Sequence, residues 1–240
     1  MQFENSDELN AYISQQTGGV AILCFSTGKD SIASWLVMQR HFTKIVPYYM
    51  YLVPGLSFVE RSLAYYEDWF GTHIIRLPHP SLYRMLNNLT FQAPENGAII
   101  EQIGLPNFDY RQLDEIVRED CGLPDNTYAA SGVRARDSLN RWAAIKKYGP
   151  VNEAKKTFYP IFDFDKARLV RTLLDSNIKL PVDYRLFGRS FDGIDYRFLV
   201  VLREKCPQDY EKILQFFPMA ELEVRRIEYR AKYYQSLEAV

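Results

Sequence analysis

Cysteine and histidine are scarce: this chain of 240 residues has three of each. Cys24, Cys121 and Cys206 stand apart with no CxxC spacing. That excludes a disulfide framework and a cysteine-based zinc or iron–sulfur site. Unpaired thiols fit a reducing compartment, and the acidic, weakly apolar first sixteen residues do not read as a signal peptide, so the expected location is cytoplasmic. No apolar run approaches the length of a membrane-spanning helix, so no membrane partner is expected. Neither sign of charge prevails: 29 Lys and Arg stand against 30 Asp and Glu, a net charge of −1. Any basic surface for a polyanion must therefore be local. Internal repeats and low-complexity stretches are absent as well.

What is present is a foldable chain. Hydrophobic residues make up 47% and aromatics 15%, with 17 Tyr, 15 Phe and 3 Trp. That excludes a disordered chain, and the length suffices to bury a core without disulfides or metal. A short amphipathic helix over 7–16 ends at Gly18-Gly19, and the unbroken apolar run 20–25 reads as a strand buried on both faces. A helix to about Phe42, a strand over 45–53, a helix to Gly71 and a strand over 72–77 follow. Residues 80–106 read as helix plus loop, and 109–121 as a charged helix. A short strand over 127–131, a helix over 135–148, a strand over 156–162 and a helix over 165–176 come next. Residues 180–195 look irregular, and helices broken at Pro207 and Pro218 close the chain. The expected fold is α/β: a doubly wound, mainly parallel five-stranded sheet with helices on both faces and a helical C-terminal tail. The expected division is a nucleotide-binding domain over 1–178 and a substrate loop with helical extension over 179–240.

The turn Ser26-Thr27-Gly28-Lys29-Asp30-Ser31 lies between the first strand and its helix. A polar, glycine-containing turn there presents backbone N–H groups beside a helix N-terminus, and Lys29 adds a full positive charge, so it can seat an anion. It can equally be an ordinary capped connection, with Asp30 as cap. It has neither the second glycine of a Walker A loop nor the three of a dinucleotide fingerprint. A second segment follows the fourth strand: Gly132-Val133-Arg134-Ala135-Arg136-Asp137-Ser138-Leu139-Asn140-Arg141. On a helix, Arg134 and Arg141 share one face with Asp137 between them, which makes either an oxyanion clamp or a solvated row of ion pairs.

The turn resembles the PP-loop of the ATP pyrophosphatase family, whose pattern is S-[GT]-G-K-D-S, with Thr27 in place of the first glycine. The second segment is similar to G-x-R-x-x-[DE]-S-x-x-R of that family's phosphoadenosine-phosphosulfate (PAPS) reductase branch. Pro54-Gly55-Leu56-Ser57-Phe58-Val59-Glu60 resembles the branch's D-T-G-x-x-F-x-E turn. Pro160-Ile161-Phe162 and the stretch 180–190 resemble its later elements, so the likeness spans about 18–195.

The resemblance implies an enzyme that binds ATP with Mg²⁺ and cleaves it to AMP and pyrophosphate, adenylating an acceptor. The implied nucleotide contacts are Ser26, Thr27, Gly28, Lys29, Asp30, Ser31, Tyr51, Leu52, Gly132 and Arg134, with Asp30 holding the metal. Lys29, Asp30, Arg134 and Arg141 are the implied catalytic residues, and Phe58, Glu60, Asp137, Arg185 and Arg189 the substrate contacts. The acceptor is a small oxyanion or a nucleobase. Two other readings stay open: a PAPS or adenylyl-sulfate reductase, and a module that binds an adenine nucleotide without cleaving it. The first needs a C-terminal cysteine, yet residues 207–240 contain none, and Cys206 and Cys24 fall inside expected helix and strand. The Asp of D-T-G is replaced by Val53-Pro54. Arg225, Arg226, Arg230 and Lys232 interleave with Tyr229, Tyr233 and Tyr234, which suits nucleic acid, a neighbouring helix or a second subunit of a homodimer. The net charge gives nucleic acid no support. His73 and His79, flanking the third strand, read as structural.

Overall fold

Continuous apolar residues at the expected strands produce a sheet covered on both faces. The computed structural model describes residues 2–238. The chain runs α1 (Ser6–Gln16), β1 (Val20–Cys24), α2 (Lys29–Met38), β2 (Lys44–Tyr51), α3 (Ser57–Phe70) and β3 (Ile75–Pro78). It continues with α4 (Pro80–Asn87), α5 (Pro94–Ile103), α6 (Tyr110–Asp120), β4 (Ala129–Ala130), a 3₁₀ turn (Ala135–Asp137), α7 (Leu139–Tyr148), β5 (Val151–Asn152) and β6 (Thr157–Phe158). Then come α8 (Lys166–Asp175), α9 (Val182–Phe187), α10 (Tyr196–Lys205), α11 (Pro207–Phe216), a 3₁₀ turn (Pro218–Ala220) and α12 (Glu221–Glu238). No helix among the described residues is long and apolar enough to cross a membrane.

Two units interleave along the chain: the first comprises Met1–Met50, Leu63–Leu77 and Phe108–Leu180, the second Tyr51–Ser62, Pro78–Asn107 and Pro181–Val240. The sheet has six strands in the order β3-β2-β1-β4-β6-β5. β1 pairs in parallel with β2, Cys24 opposite Tyr48, and with β4, Ile22 opposite Ala129. β6 is parallel to β4, and β5 pairs antiparallel with β6. The fold is the expected α/β class with one strand more. That strand, β5, is two residues long, too short to leave a periodic signal. The expected strand over 156–162 shrinks to Thr157–Phe158, because Pro160 has no N–H for a ladder and the chain turns there, Phe162 N bonding Tyr159 O at 3.1 Å.

In the first unit, Ile22, Val46, Tyr48, Val117 and Ala129 form one buried cluster, and Ala33, Val37, Ile161, Phe164 and Leu169 another. The first packs α6 against the sheet, and the second packs α2 against α8. Trp35 stacks flat on Phe70 at 3.8 Å, and Phe25 meets Trp35 and Tyr66 edge-on. In the second unit the buried carboxylate of Asp209 caps α3 from α11, accepting from Ser57 N and Oγ, each at 2.7 Å, and from Phe58 N at 3.3 Å. Residues 180–195 are less irregular than expected: α9 occupies Val182–Phe187 and stops at Gly188, whose φ of +70° ends the helix. The buried Asp183 then accepts from Phe191 N at 2.9 Å, fixing the loop.

Tyr48 donates its hydroxyl to Asp114 at 2.9 Å, beneath the sheet. Burial pushes the Asp114 carboxyl up to about 6, against the Tyr48 hydrogen bond and the charge of Arg118. The folded chain thus binds this proton more tightly than the unfolded one, whose carboxyl titrates near about 4. The contribution to stability is full below about pH 4 and is lost as pH rises through about 6. Asp114→Asn is expected to be about 1–3 kcal/mol more stable than wild type at pH 7–8, the gap closing below pH 4. Urea unfolding across that range measures it.

Candidate functional site

β1 ends at Cys24 and α2 begins at Lys29, so four residues turn the chain. Gly28 is the N-cap of α2 and offers it no side-chain hydrogen bond. Ser31 Oγ instead donates to Gly28 O at 2.9 Å, and Ser26 Oγ donates to Ser31 Oγ at 3.2 Å, which locks the turn. The first backbone bond of the helix is Ile32 N to Gly28 O at 3.0 Å. The N–H groups of the first turn therefore remain without a side-chain acceptor, at the positive end of the helix dipole. Such an end is a seat for an anion. Thr27 adopts φ +58° and is 5% exposed. A β-branched residue in the left-handed region is strained by about 1–2 kcal/mol, so packing must hold it there.

The second segment reaches this turn through Gly132. A Cβ on Gly132 would lie 2.9 Å from Asp30 C and 3.0 Å from Ser31 N. Both are backbone atoms that cannot swing aside, so glycine lets the chain leaving β4 lie directly on the first turn of α2. Arg134 follows, with its Nε 2.8 Å from Asp30 Oδ1 and its Nη2 2.6 Å from Asp137 Oδ1. Arg141 Nη1 reaches Asp137 Oδ2 at 2.9 Å, and Lys29 Nζ lies 3.4 Å from Asp30 Oδ2. Three cations and two carboxylates thus alternate in one row with a charge of +1. The Arg134 Nε and Asp30 Oδ1 atoms are both buried and, despite their closeness, lack an aligned hydrogen bond.

The expected single helix carrying Arg134 and Arg141 is not what joins them. Arg134 precedes the 3₁₀ turn, and α7 starts only at Leu139, capped by Ser138 Oγ accepting from Arg141 N at 3.2 Å. Asp137, whose carboxylate also accepts from Arg134 N at 3.1 Å, bridges the two arginines from within that turn. Exposure separates their roles: the Lys29 and Arg141 side chains are 44% and 51% exposed, while that of Arg134 is 11%. The first two can meet a ligand; Arg134 chiefly holds the row in place.

Ser26 to Ser31, Gly132, Arg134, Asp137 and Arg141 all belong to the first unit, whereas Tyr51, Leu52, Phe58, Glu60, Arg185 and Arg189 belong to the second. Phe58 is a correction to the expected substrate contacts. It is fully buried, edge-on to Phe187 and Phe191, and is core. Glu60 lies half-buried on α3, and Arg185 is exposed on α9. Arg189 pairs with Asp192. Burial, with Tyr83 nearby, raises the Tyr51 hydroxyl above its usual value.

The thiols of Cys24 and Cys206 are not activated. Burial pushes Cys24, at the end of β1, up to about 11 and raises Cys206 as well. Cys206 sits at the junction of α10 and α11 rather than inside a helix. His73 pairs with Glu67 at 2.8 Å, and His79 Nδ1 accepts from Ser81 N to cap α4. On α12, Arg225 and Arg226 pair with Glu221 and Glu223, while Tyr229 and Tyr233 are exposed. The side chains of Lys232 and Tyr234 lie outside the described residues. No group of three His, Cys, Asp or Glu among the described residues is placed to hold a metal. Sequence reasoning missed the direct Asp30–Arg134 pairing, since nothing in one sequence links two motifs a hundred residues apart.

Gly132→Ala must push two backbone segments apart, at a cost of about 1–3 kcal/mol. The expected result is a lower urea midpoint, together with weaker binding of inorganic pyrophosphate by calorimetry.

No protein-family model and no curated protein sequence matches the chain. Solved structures similar to it include an NH3-dependent NAD synthetase from Campylobacter jejuni subsp. jejuni NCTC 11168, in complex with the nitrate ion, at 12% identity and a TM-score of 0.46, covering 94% of each chain. Another is a predicted subunit of tRNA methyltransferase from Methanocaldococcus jannaschii DSM, at 15% identity and a TM-score of 0.33, covering 80% of this chain and 92% of that one. At these scores neither likeness assigns the chain a family or a chemistry.

Proposed function

We propose that the chain is a PP-loop enzyme that binds ATP at the Ser26–Ser31 turn, cleaves it to AMP and pyrophosphate, and so adenylates an acceptor. The observation that carries this reading is the meeting of the uncapped first turn of α2, with Lys29 on it, and the Gly132–Arg141 arm pinned against it through Asp30 and Arg134. Two segments that resemble successive motifs of one family converge on one anion seat.

In this reading the first-turn N–H groups and Lys29 receive the pyrophosphate end of ATP. An acceptor oxygen attacks the α-phosphorus; its bond to phosphorus forms as the bond to the α–β bridging oxygen breaks, and that oxygen leaves with the electron pair. Lys29 stabilises the charge that develops on the leaving group, and Arg141 faces the α-phosphate or an anionic acceptor. Asp30 does not fit a resident metal, because both its oxygens face cations, Arg134 and Lys29. It fits better as the organiser of those cations. Mg²⁺ arriving on the phosphates, most of its shell water and phosphate oxygen, would neutralise their charge. The reductase reading is disfavoured by thiols that burial keeps protonated.

Incubation of Mg·ATP with sulfate, nucleosides or RNA as acceptors is expected to give AMP and pyrophosphate in equal amounts. Lys29→Ala should slow release about 10²-fold, and Asp30→Ala should abolish it. Products of ADP and phosphate, or undiminished release from Asp30→Ala, would contradict the assignment.

A further inference from the structure

A second basic site lies at the other end of α2. A cleft of about 550 Å³ opens there against α8, all of it within the first unit. The volume is in the range of pockets that enclose small molecules. Leu36, buried near the C-terminus of α2, contributes apolar floor, and Arg40 stands just beyond that helix. α8 supplies the other wall with Arg168, Arg171, Thr172 and Asp175, spaced so that they share one helix face. Since α2 is ten residues long, the cleft is about 15 Å from the Gly28 turn.

The three guanidiniums differ in their engagements. Arg168 is fixed, with Nη1 on Asp163 at 2.7 Å, Nη2 3.5 Å from Asp7, and its plane over the Phe164 ring at 4.1 Å. Arg40 and Arg171 have no side-chain hydrogen bond or ion pair among the described residues, even though Asp175 stands four residues beyond Arg171. Two unspent guanidiniums converging on a cleft with a third held rigid beside them suit a phosphate group, which each can engage with paired donors.

The remaining polar groups run the opposite way. Thr172 Oγ1 donates its proton to Arg168 O at 2.9 Å, and Ser176 Oγ donates to Leu173 O at 2.8 Å. Thr172 Oγ1 therefore keeps its lone pairs free as acceptors, whereas Ser176 Oγ already accepts from Ile178 N at 3.3 Å, and the Asp175 carboxylate is an acceptor by nature. One part of the lining donates to an anion, and the other accepts from hydroxyl donors.

We infer that this cleft binds a phosphate ester of a polyhydroxylated small molecule, a sugar phosphate, with the phosphate on Arg40, Arg171 and Arg168 and the hydroxyls on Thr172 and Asp175. The site is independent of the anion seat at the start of α2 and has a different complement of groups.

The test is calorimetric titration of the full chain with ribose 5-phosphate, ribose and inorganic phosphate, at low and at about 0.15 M salt. The expected result is one ribose 5-phosphate per chain, bound at least about tenfold more tightly than either ribose or phosphate. Arg40→Ala and Arg171→Ala, both exposed positions that leave the core untouched, should each weaken it about 10–100-fold, while Lys29→Ala leaves it unchanged. Absence of binding, affinity indifferent to both arginine variants, or loss in Lys29→Ala would overturn the assignment. Inorganic phosphate binding as tightly as the ester would overturn the sugar.

Discussion

The absence of a side chain at Gly132 is the constraint on which the candidate site depends. Because no Cβ intrudes, the chain leaving β4 lies against the backbone of Asp30 and Ser31. That approach brings the buried Arg134 within reach of Asp30 and, through Asp137, sets the position of Arg141. Charge then reinforces what packing permits. Asp30, flanked by Arg134 and Lys29, is compensated in a partly buried place where an unpaired carboxylate would be costly. A rigid frame of this kind holds donors in place before any ligand arrives, so less freedom is lost on binding.

The same economy of structure distinguishes the two ends of α2. At its start, cap and side chains leave N–H groups unsatisfied and one lysine exposed, a place for negative charge. At its end, where the dipole is negative, cations come from Arg40 and from the neighbouring α8. Hydrogen-bond donors stand at both, backbone N–H groups in one case and guanidiniums in the other.

Much of this was legible in the sequence, and the failures have local causes. Unbroken apolar runs gave away β1 and β2, since strands buried on both faces carry no alternation. The turn at 26–31 was legible as a polar, glycine-containing connection between a buried strand and a helix, which is where it lies, between β1 and α2. β5 was not, being two residues held by its partner β6 rather than by its own composition. α9 was hidden by the Arg, Asp and Gly around it, because its stability comes from the aromatic cluster of Phe58, Phe187, Phe191 and Phe198 in the second unit. For the same reason Phe58 looked available to a substrate when it is core. The spacing of Arg134 and Arg141 pointed to a helix; a 3₁₀ turn brings Asp137 between them instead, a conformation that residue spacing does not encode.

The central claim is that the first turn of α2 seats the phosphates of an adenine nucleotide. It is tested most directly by calorimetric titration of wild type and Lys29→Ala with Mg·ATP, both variants being checked for equal melting temperature. Lys29 is half-exposed, so its loss should leave the fold intact. The account predicts saturable 1:1 binding that weakens about 10–100-fold in the variant. Equal affinity in the two proteins, or no binding by the wild type, would contradict it.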